Sequence, residues 1–290
     1  MKTKALLYAG LLATTAVWGG SFVVMKDSLE RQDVYSFLAS RFILAALFMF
    51  LYRPNSLKGL DRKFILRATL AGLLVGSGFI FQTFGLTKAT VSNTGFITGL
   101  YLVFTPLIAW VILKKHVVKI QWLAVAVATI GLYLIAYNGI SIGIGEILVL
   151  ISAILFAAQI VAISEWSDGK NAYALTLIQI LVSSIIFLLL TVKDGYQLPP
   201  DGSVWSAVLF TAFFATFLGF LIQVKAQSMM SATAAGVLLA MEVPFALVFG
   251  LYFDNDPLTL RIISGGTLVM AAMAMVIWSD NRKNNYGDSK

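Results

Sequence analysis

The chain of 290 residues has no cysteine and a single histidine, His116. Without cysteine it has no disulfide framework and no thiolate metal site. One histidine cannot form the imidazole clusters that many metal and acid–base sites use. The sequence also lacks GxxxxGKS/T and HExxH, which excludes a P-loop nucleotide site and a zinc protease of that type. We therefore predict no cofactor, no metal, no catalytic residue and no enzymatic activity.

Charge is also scarce. Asp, Glu, Lys and Arg together make up 12% of the residues, whereas 59% are hydrophobic. An ordinary soluble domain carries about twice that charged share. The mean hydropathy is +0.87. This composition excludes a typical soluble domain and predicts an all-α integral membrane protein whose surroundings are a lipid bilayer.

Ten stretches are apolar enough to cross a bilayer as helices, for which about 20 mainly apolar residues are needed. Short connections rich in Gly, Pro, Asn and Asp separate them. The first stretch begins like a signal peptide, but no cleavage site follows it, so we interpret it as a retained helix. The predicted spans are 5–25, 35–51, 65–86, 94–113, 121–137, 145–164, 172–192, 204–224, 232–253 and 260–278.

The net charge of +7 is explained by topology. If the N-terminus is cytoplasmic, fifteen of the 21 Lys and Arg residues fall on the inner side and five on the outer side, with Arg41 inside the second span. Basic residues favour cytoplasmic loops. The bias predicts that both termini are cytoplasmic. Because the basic residues form no separate domain, we predict no nucleic-acid partner.

Two parts of the chain share a pattern. Residues 95–137 and 235–278 each contain small residues, a proline within the helix, a short polar turn and a span with glycine. We predict a five-helix unit present twice, at 1–140 and 141–290. Because five is odd, the second copy is inverted, so the fold class is ten transmembrane helices as two inverted repeats. Inverted repeats are a transporter architecture with the solute site near the midplane.

The two prolines of this pattern are Pro106 and Pro244. Each removes a helix hydrogen bond and can open a local hinge. We predict that both act as hinges when the two halves move about a fixed site.

Four stretches carry a family resemblance. They are WGGSFVVMK (18–26), SRFILAAL (40–47), GLTKATVSNTGFITGLYLVFTPLIA (85–109) and AQSMMSATAAGVLLAMEVPFA (226–246). With them the chain resembles the drug/metabolite transporter (DMT) superfamily, in its EamA branch of ten-helix bacterial permeases, over nearly its whole length. The family commonly has Glu and Pro adjacent in the ninth helix, whereas Val243 separates Glu242 from Pro244 here.

The resemblance implies two EamA-like repeats, a place in the bacterial cytoplasmic (inner) membrane, and a small-molecule solute such as an amino acid or a related compound. It does not supply the direction of transport or the coupling ion. Protons are the candidate coupling ion, because a carboxyl group lies in the ninth span.

Polar and aromatic residues share one face of several spans at helical spacings of 4, 3 and 4. Span one presents Thr14, Trp18, Ser21 and Met25, and span eight presents Phe213 to Gln223 at a similar spacing. These faces predict a mostly apolar cavity with a few polar groups, although Ser and Thr can also satisfy their own helix carbonyls. The predicted solute-binding residues are Trp18, Ser21, Phe79, Gln82, Asn93, Thr98, Tyr101, Gln159, Gln223 and Glu242.

Two charged residues lie within predicted spans. An ionised carboxylate in hydrocarbon costs several kcal/mol at least. Glu242 is therefore either a protonated structural group that bonds a neighbouring helix, or a group that contacts the solute or takes up a proton. For Arg41 three roles are open: extension toward the outer surface, pairing with an acidic residue such as Asp33, or recognition of an anionic solute.

The leading prediction is a secondary transporter, an exporter or exchanger of small organic metabolites such as amino acids, working by alternating access as a monomer or weak dimer. The alternatives are a passive metabolite facilitator and a multidrug efflux permease. Less favoured are a receptor or assembly subunit without transport, an intramembrane enzyme acting on lipid, and a channel, for which no charged ring or filter repeat is present.

Overall fold

The computed structural model describes residues 2–89, 91–115, 117–136, 143–167, 171–253 and 259–287. Within these ranges the regular structure is helical. The predicted boundary between the repeats, 140/141, lies outside them. The helices are α1 (Lys2–Leu29), α2 (Val34–Tyr52), α3 (Arg62–Leu86), α4 (Val91–Gly99), α5 (Tyr101–Val111), α6 (Lys119–Ala136), α7 (Ile144–Trp166), α8 (Ala172–Leu190), α9 (Gly202–Phe210), α10 (Gly219–Gln227), α11 (Ala232–Leu239), α12 (Glu242–Phe253) and α13 (Leu260–Gly287).

Eight of the ten predicted spans coincide with helical stretches that are long and apolar enough to cross a membrane. The other two, 121–137 and 260–278, coincide with α6 and α13. Their described apolar parts, Lys119–Gly131 and Ile263–Met275, are shorter than a full span. The chain is thus a multi-pass membrane protein with eight candidate spans among the described residues, and the count of ten stays a prediction.

Polar residues at the helix starts fix several of these boundaries. Asp33 accepts the N–H groups of Tyr35 and Ser36 at the start of α2, at 2.9 and 3.1 Å. Asp61 and Ser231 cap α3 and α11 in the same way. Such caps satisfy backbone donors that have no partner within the helix. They explain why the spans begin where the sequence turns from polar to apolar.

Three of the long spans are not continuous α-helices. Leu100 separates α4 from α5, and Ala240 with Met241 separates α11 from α12. Pro106 lies inside α5, and Pro244 lies in the first turn of α12. The remaining one of the three interrupted spans, Gly202–Gln227, contains a π-helical segment, Thr211–Leu218, between α9 and α10. Both prolines thus lie in spans that are interrupted, Pro106 six residues after Leu100 and Pro244 three residues after Met241. Their action as hinges stays a prediction.

The first part of the chain, helices α1 to α6, and the second part, helices α7 to α13, are packed into one bundle. Helix α1 packs against α10, α11 and α12, whereas α3 packs against α7 and α8. Helices α6 and α13, which occupy matching places in the two predicted repeats, also form a pair. Large apolar side chains face outward on many helices, for example Leu66, Leu123 and Leu189. An apolar exterior of this extent suits a lipid environment.

Because successive spans cross the bundle in alternate directions, their connections define two ends. At the Arg31 end, where α1 stops and α9 starts, Arg31 pairs with Asp27 at 2.5 Å and with Asp201 at 2.6 Å. At the Lys115 end, where α5 and α7 stop, Lys115 pairs with Glu165. Each end thus carries an ion pair between the first and second parts of the chain.

The Arg31 pair gives a prediction about pH. Asp201 accepts the N–H groups of Val204 and Ser203 and pairs with Arg31, and these bonds hold the pKa of its carboxyl below the ordinary 3.8. A lowered carboxyl pKa gives stability that is present above the ordinary value and lost only below it. We expect the difference in thermal unfolding midpoint between wild type and Asp201→Asn to stay constant from pH 5 to pH 8. A difference that changes across that range would contradict this assignment.

Candidate solute site between the helices

A mostly apolar cavity with a few polar groups lies among helices from both parts of the chain. Helices α1 to α5 contribute from the first part, and α7, α10, α11 and α12 contribute from the second. Its lining side chains are Trp18, Ser21, Phe22, Met25, Arg41, Val75, Phe79, Gln82, Thr98, Tyr101, Phe156, Gln159, Ile160, Phe220, Gln223, Leu239 and Glu242. This composition is that of sites for small organic molecules.

The cavity has a volume of about 60 Å³. One water molecule needs roughly 10–15 Å³ of such space. The site therefore has room for a few water molecules and is smaller than a whole metabolite. A solute can occupy it only if the surrounding helices move apart.

Nine of the ten predicted solute-binding residues line this cavity. The tenth, Asn93, lies in α4, and its side chain falls outside the part that the structure describes. The sequence also placed Phe213 on a cavity face, and this is wrong. Phe213 is 36% exposed and packs on Phe48, Phe214 and Phe217. The π-helical segment changes the number of residues per turn, so the α-helical spacing does not apply there.

Aromatic rings from four helices form a layer across the cavity, which we call the aromatic layer. Phe79 of α3 is at its centre, with ring centroids 5.3 Å from Phe156 and 6.0 Å from Phe220. Trp18 lies 5.6 Å from Phe220 on the other side. The indole Nε1 of Trp18 donates to the carbonyl of Ala215 at 2.8 Å, which fixes its ring. These contacts join the four rings into one connected group in the wall of the cavity.

Each ring of this layer is followed three residues later by a polar side chain. Ser21 and Gln82 follow Trp18 and Phe79, whereas Gln159 and Gln223 follow Phe156 and Phe220. Helices α1 and α3 run toward the Arg31 end, but α7 and α10 run toward the Lys115 end. The four polar groups therefore lie in pairs on opposite sides of the aromatic layer.

On one side, three glutamines form a chain of amide hydrogen bonds. Gln223 Nε2 donates to Gln159 Oε1 at 3.3 Å, and Gln159 Nε2 donates to Gln179 Oε1 at 3.0 Å. The Oε1 atom of Gln223 is buried and has no hydrogen-bond partner among the residues that the structure describes. On the other side, Gln82 Nε2 donates to Thr98 Oγ1 at 3.1 Å. Buried polar atoms without partners are uncommon, so this oxygen is available to a bound molecule.

Glu242 occupies the first turn of α12, where its carboxyl is buried at the cavity wall. Tyr101, the first residue of α5, is its neighbour, and the two side chains interact electrostatically. The Tyr101 hydroxyl makes no hydrogen bond of ordinary geometry. No Lys or Arg pairs with Glu242 in the described ranges. The broken ends of two spans thus bring a carboxyl and a phenol together inside the protein.

Two of the predictions for Arg41 are wrong. The side chain is 1% exposed, so it does not extend to the surface. No ion pair joins it to Asp33 among the described residues either, and Asp33 caps α2. Arg41 Nε donates instead to Thr216 Oγ1 at 2.7 Å, and the guanidinium lines the cavity. Sequence analysis missed this contact because its two partners are 175 residues apart.

The apolar wall includes residues that the sequence did not single out as binding residues. They fill the turns beside the predicted ones, and helical spacing alone could not separate them from ordinary packing residues. They are Phe22, Val75, Ile160 and Leu239.

Helices that span a membrane and enclose a mostly apolar cavity with a few polar groups define the class of small-molecule membrane transporters. The chain belongs to the EamA-like transporter family, whose model matches residues 4–137 and again residues 143–278. The resemblance to the DMT superfamily is thereby confirmed. The chain is a transporter and not an enzyme.

Relatives of this chain are named as transporters. An uncharacterized transporter of Archaeoglobus fulgidus is 33% identical over 273 residues, which cover 93% of this chain and 86% of the relative. The S-adenosylmethionine uptake transporter of Rickettsia prowazekii is 24% identical over 236 residues, covering 81% of this chain and 78% of the relative. A solved crystal structure with 14% identity matches 94% of this chain and 98% of its own with a TM-score of 0.75, which shows a shared fold.

Proposed function

We propose that the protein is a secondary transporter that exports or exchanges a small organic metabolite across a bacterial cytoplasmic membrane. Amino acids and related compounds are the first solute class to test. Transport proceeds by alternating access between two inverted five-helix halves, 1–140 and 141–290, with both termini cytoplasmic. The chain works as a monomer or weak dimer, and protons are the candidate coupling ion.

The cavity is the observation that carries this proposal. Helices from both parts of the chain line it, so a relative movement of the parts changes its access. Its present volume of about 60 Å³ is too small for a metabolite. Ion pairs join the two parts at both ends of the bundle. A site of this kind must open at one end or the other to exchange its contents.

Two further observations support inverted repeats. The family model matches the chain twice, at 4–137 and 143–278. The cavity also has an internal correspondence, because Phe79 and Gln82 in α3 match Phe220 and Gln223 in α10. The two helices occupy the third and eighth positions in the predicted order of spans. An inverted copy explains why the matched Gln82 and Gln223 lie on opposite sides of the aromatic layer that contains Phe79 and Phe220.

The solute class is supported by the polar groups and by one relative. An amino acid or a derivative carries both an amine and a carboxylate, and the cavity contains both an acidic and a basic side chain, Glu242 and Arg41. The Rickettsia relative is named for uptake of S-adenosylmethionine, which is itself an amino-acid derivative. That name concerns uptake, so the test must detect movement in either direction.

Counterflow in proteoliposomes is such a test. The purified protein is reconstituted with an excess of unlabelled solute inside, and entry of the labelled solute is measured for a panel of L-amino acids, S-adenosylmethionine, nucleosides and sugars. We expect labelled uptake of at least one amino acid or derivative above that of protein-free liposomes. Uptake of nucleosides or sugars alone would overturn the solute class. Movement of no solute in the panel would count against transport by this chain.

Alanine substitutions at two glycines test whether the solute passes through the cavity. A Cβ at Gly78 would lie 2.5 Å from Cε1 of Phe156, so Gly78→Ala must displace that ring, which lines the cavity. A Cβ at Gly266 of α13 would meet no atom within 4 Å. We expect Gly78→Ala to lower counterflow several-fold and Gly266→Ala to leave it unchanged. Equal rates for the two variants would place the route elsewhere.

A further inference from the structure

Arg41 is a buried charged residue whose role the transport scheme leaves open. It lies in α2 and is 1% exposed, yet its side chain faces the cavity. Of the lining residues that the structure describes, it is the one with a basic side chain. A charge in the middle of a membrane protein is costly and marks a functional position by default.

The partners of Arg41 orient the guanidinium without neutralising it. Nε donates to Thr216 Oγ1 at 2.7 Å, and Nη1 approaches the weak acceptor Met25 Sδ at 3.3 Å. The group also lies over the rings of Phe79 and Phe42, at 4.9 and 5.5 Å from their centroids. No Asp or Glu pairs with it in the part of the chain that the structure describes. A guanidinium has five N–H donors, so most of them are left for another partner.

A purely structural role explains this arrangement poorly. A buried charge with no opposite charge beside it is strongly unfavourable, which is why breaking a buried ion pair destabilises a protein. Without a bound solute, Arg41 is such a charge among the described residues. Contacts with aromatic faces and one hydroxyl group offset only part of the free energy that the guanidinium loses when it leaves water. The arrangement suits a binding site in which the bound molecule supplies the negative charge.

We propose that Arg41 binds a carboxylate of the transported solute. This inference rests on the proposed transport function and specifies the solute of the same cavity. The planar fork of N–H donors matches a carboxylate in a bidentate arrangement. The hydrogen bond from Nε to Thr216 fixes one edge of the guanidinium, so the terminal nitrogens are directed to the solute.

Glu242 narrows the class further. It lines the same cavity, and in its ionised form it repels a solute with two or more negative charges, such as a phosphate monoester. A solute with one carboxylate and one amine would place opposite charges near Arg41 and Glu242. α-Amino acids and their derivatives have this pattern, whereas nucleosides, sugars and simple amines lack the carboxylate.

Analogues that differ only in the carboxylate test the proposal. Counterflow of labelled L-phenylalanine and L-methionine is measured with increasing L-phenylalanine, L-phenylalaninamide, phenethylamine, L-methionine or L-methioninamide as competitors. Wild type is compared with Arg41→Gln, Arg41→Lys and Thr216→Val. The matched control is Arg62→Gln, which removes an exposed guanidinium in the first turn of α3, outside the cavity. Thermal unfolding midpoints check that each variant is folded.

We expect wild type and Arg62→Gln to prefer the carboxylate over its amide by at least tenfold. Arg41→Gln should reduce this preference to about threefold or less. Arg41→Lys should keep part of it, because the charge remains and the fork is lost. Thr216→Val should weaken binding of the carboxylate and retain a preference for it.

Three results would overturn the inference while leaving the transport function intact. The first is equal competition by carboxylate and amide in wild type. The second is an unchanged preference in Arg41→Gln. The third is counterflow of simple amines or nucleosides but of no carboxylate, a result that needs only wild-type protein. If no solute at all exchanges, the proposed function fails and this inference fails with it.

Discussion

We expect Glu242→Gln to exchange solute by counterflow but to lose accumulation driven by a pH gradient. The carboxyl is buried in the cavity, and no cation neutralises it in the described ranges. A carboxyl can take up a proton from one side and release it to the other, whereas an amide cannot. With one proton per solute, a gradient of one pH unit supplies about 1.4 kcal/mol, or about tenfold accumulation. The variant should show an accumulation ratio of one.

Two controls separate coupling from folding in this experiment. Glu146→Gln makes the same chemical change in the first turn of α7, where Glu146 accepts the N–H of Gly143 at 3.0 Å. Glutamine is also suited to this capping position, so accumulation should persist. Tyr101→Phe removes the neighbouring hydroxyl and leaves the carboxyl in place, so a pH-driven gradient should remain. If Glu242→Gln accumulates solute like wild type, the structural role of Glu242 is correct and the coupling group lies elsewhere.

Gly19→Ala should destabilise the protein and abolish transport. A Cβ at Gly19 would lie 2.6 Å from both the backbone N of Ala246 and the carbonyl O of Glu242. Backbone atoms cannot turn aside as a side chain can, so α1 and α12 must separate. Overpacking of this kind costs about 1–3 kcal/mol, more than the gain of up to about 1 kcal/mol in helix propensity. The separation would also move Glu242 away from the cavity.

Gly266→Ala is the matched control, because the same substitution in α13 meets no atom within 4 Å. There the gain in helix propensity is unopposed, and the thermal unfolding midpoint should stay equal or rise slightly. Unfolding midpoints in detergent and counterflow rates are measured for both variants. Similar behaviour of Gly19→Ala and Gly266→Ala would refute the close contact between α1 and α12.

The sequence was sufficient to place much of the candidate site because helical spacing is a local property. Trp18, Ser21 and Met25 lie on one face of a continuous helix, and all three line the cavity. The apolar stretches likewise predicted where the helical spans lie, because burial in lipid requires long apolar runs. They did not predict all the ends, since α13 continues nine residues beyond the predicted end at 278. These predictions needed no knowledge of which helices are neighbours.

The failures came from features that depend on distant parts of the chain. The position of Arg41 depends on Thr216, and the tight approach of Gly19 depends on α12. Neither neighbour can be identified from local spacing. Phe213 was misplaced for a different reason, because no signal of composition or period marked the residues that form the π-helical segment. The predicted roles of the site residues are untested by geometry and depend on the transport experiments.

The π-helical segment Thr211–Leu218 has a consequence for the evolution of the chain. Its hydrogen bonds close over one residue more than those of an α-helix. Because a π-helical turn holds one residue more than an α-helical turn, losing one residue there would restore ordinary winding and leave α9 and α10 at nearly the same relative rotation. Phe220 and Gln223 would still face the cavity. Insertions and deletions are usually tolerated in surface loops. In this span the wide turn gives the interior of a membrane helix a similar tolerance, because it absorbs one residue without turning the binding face that follows.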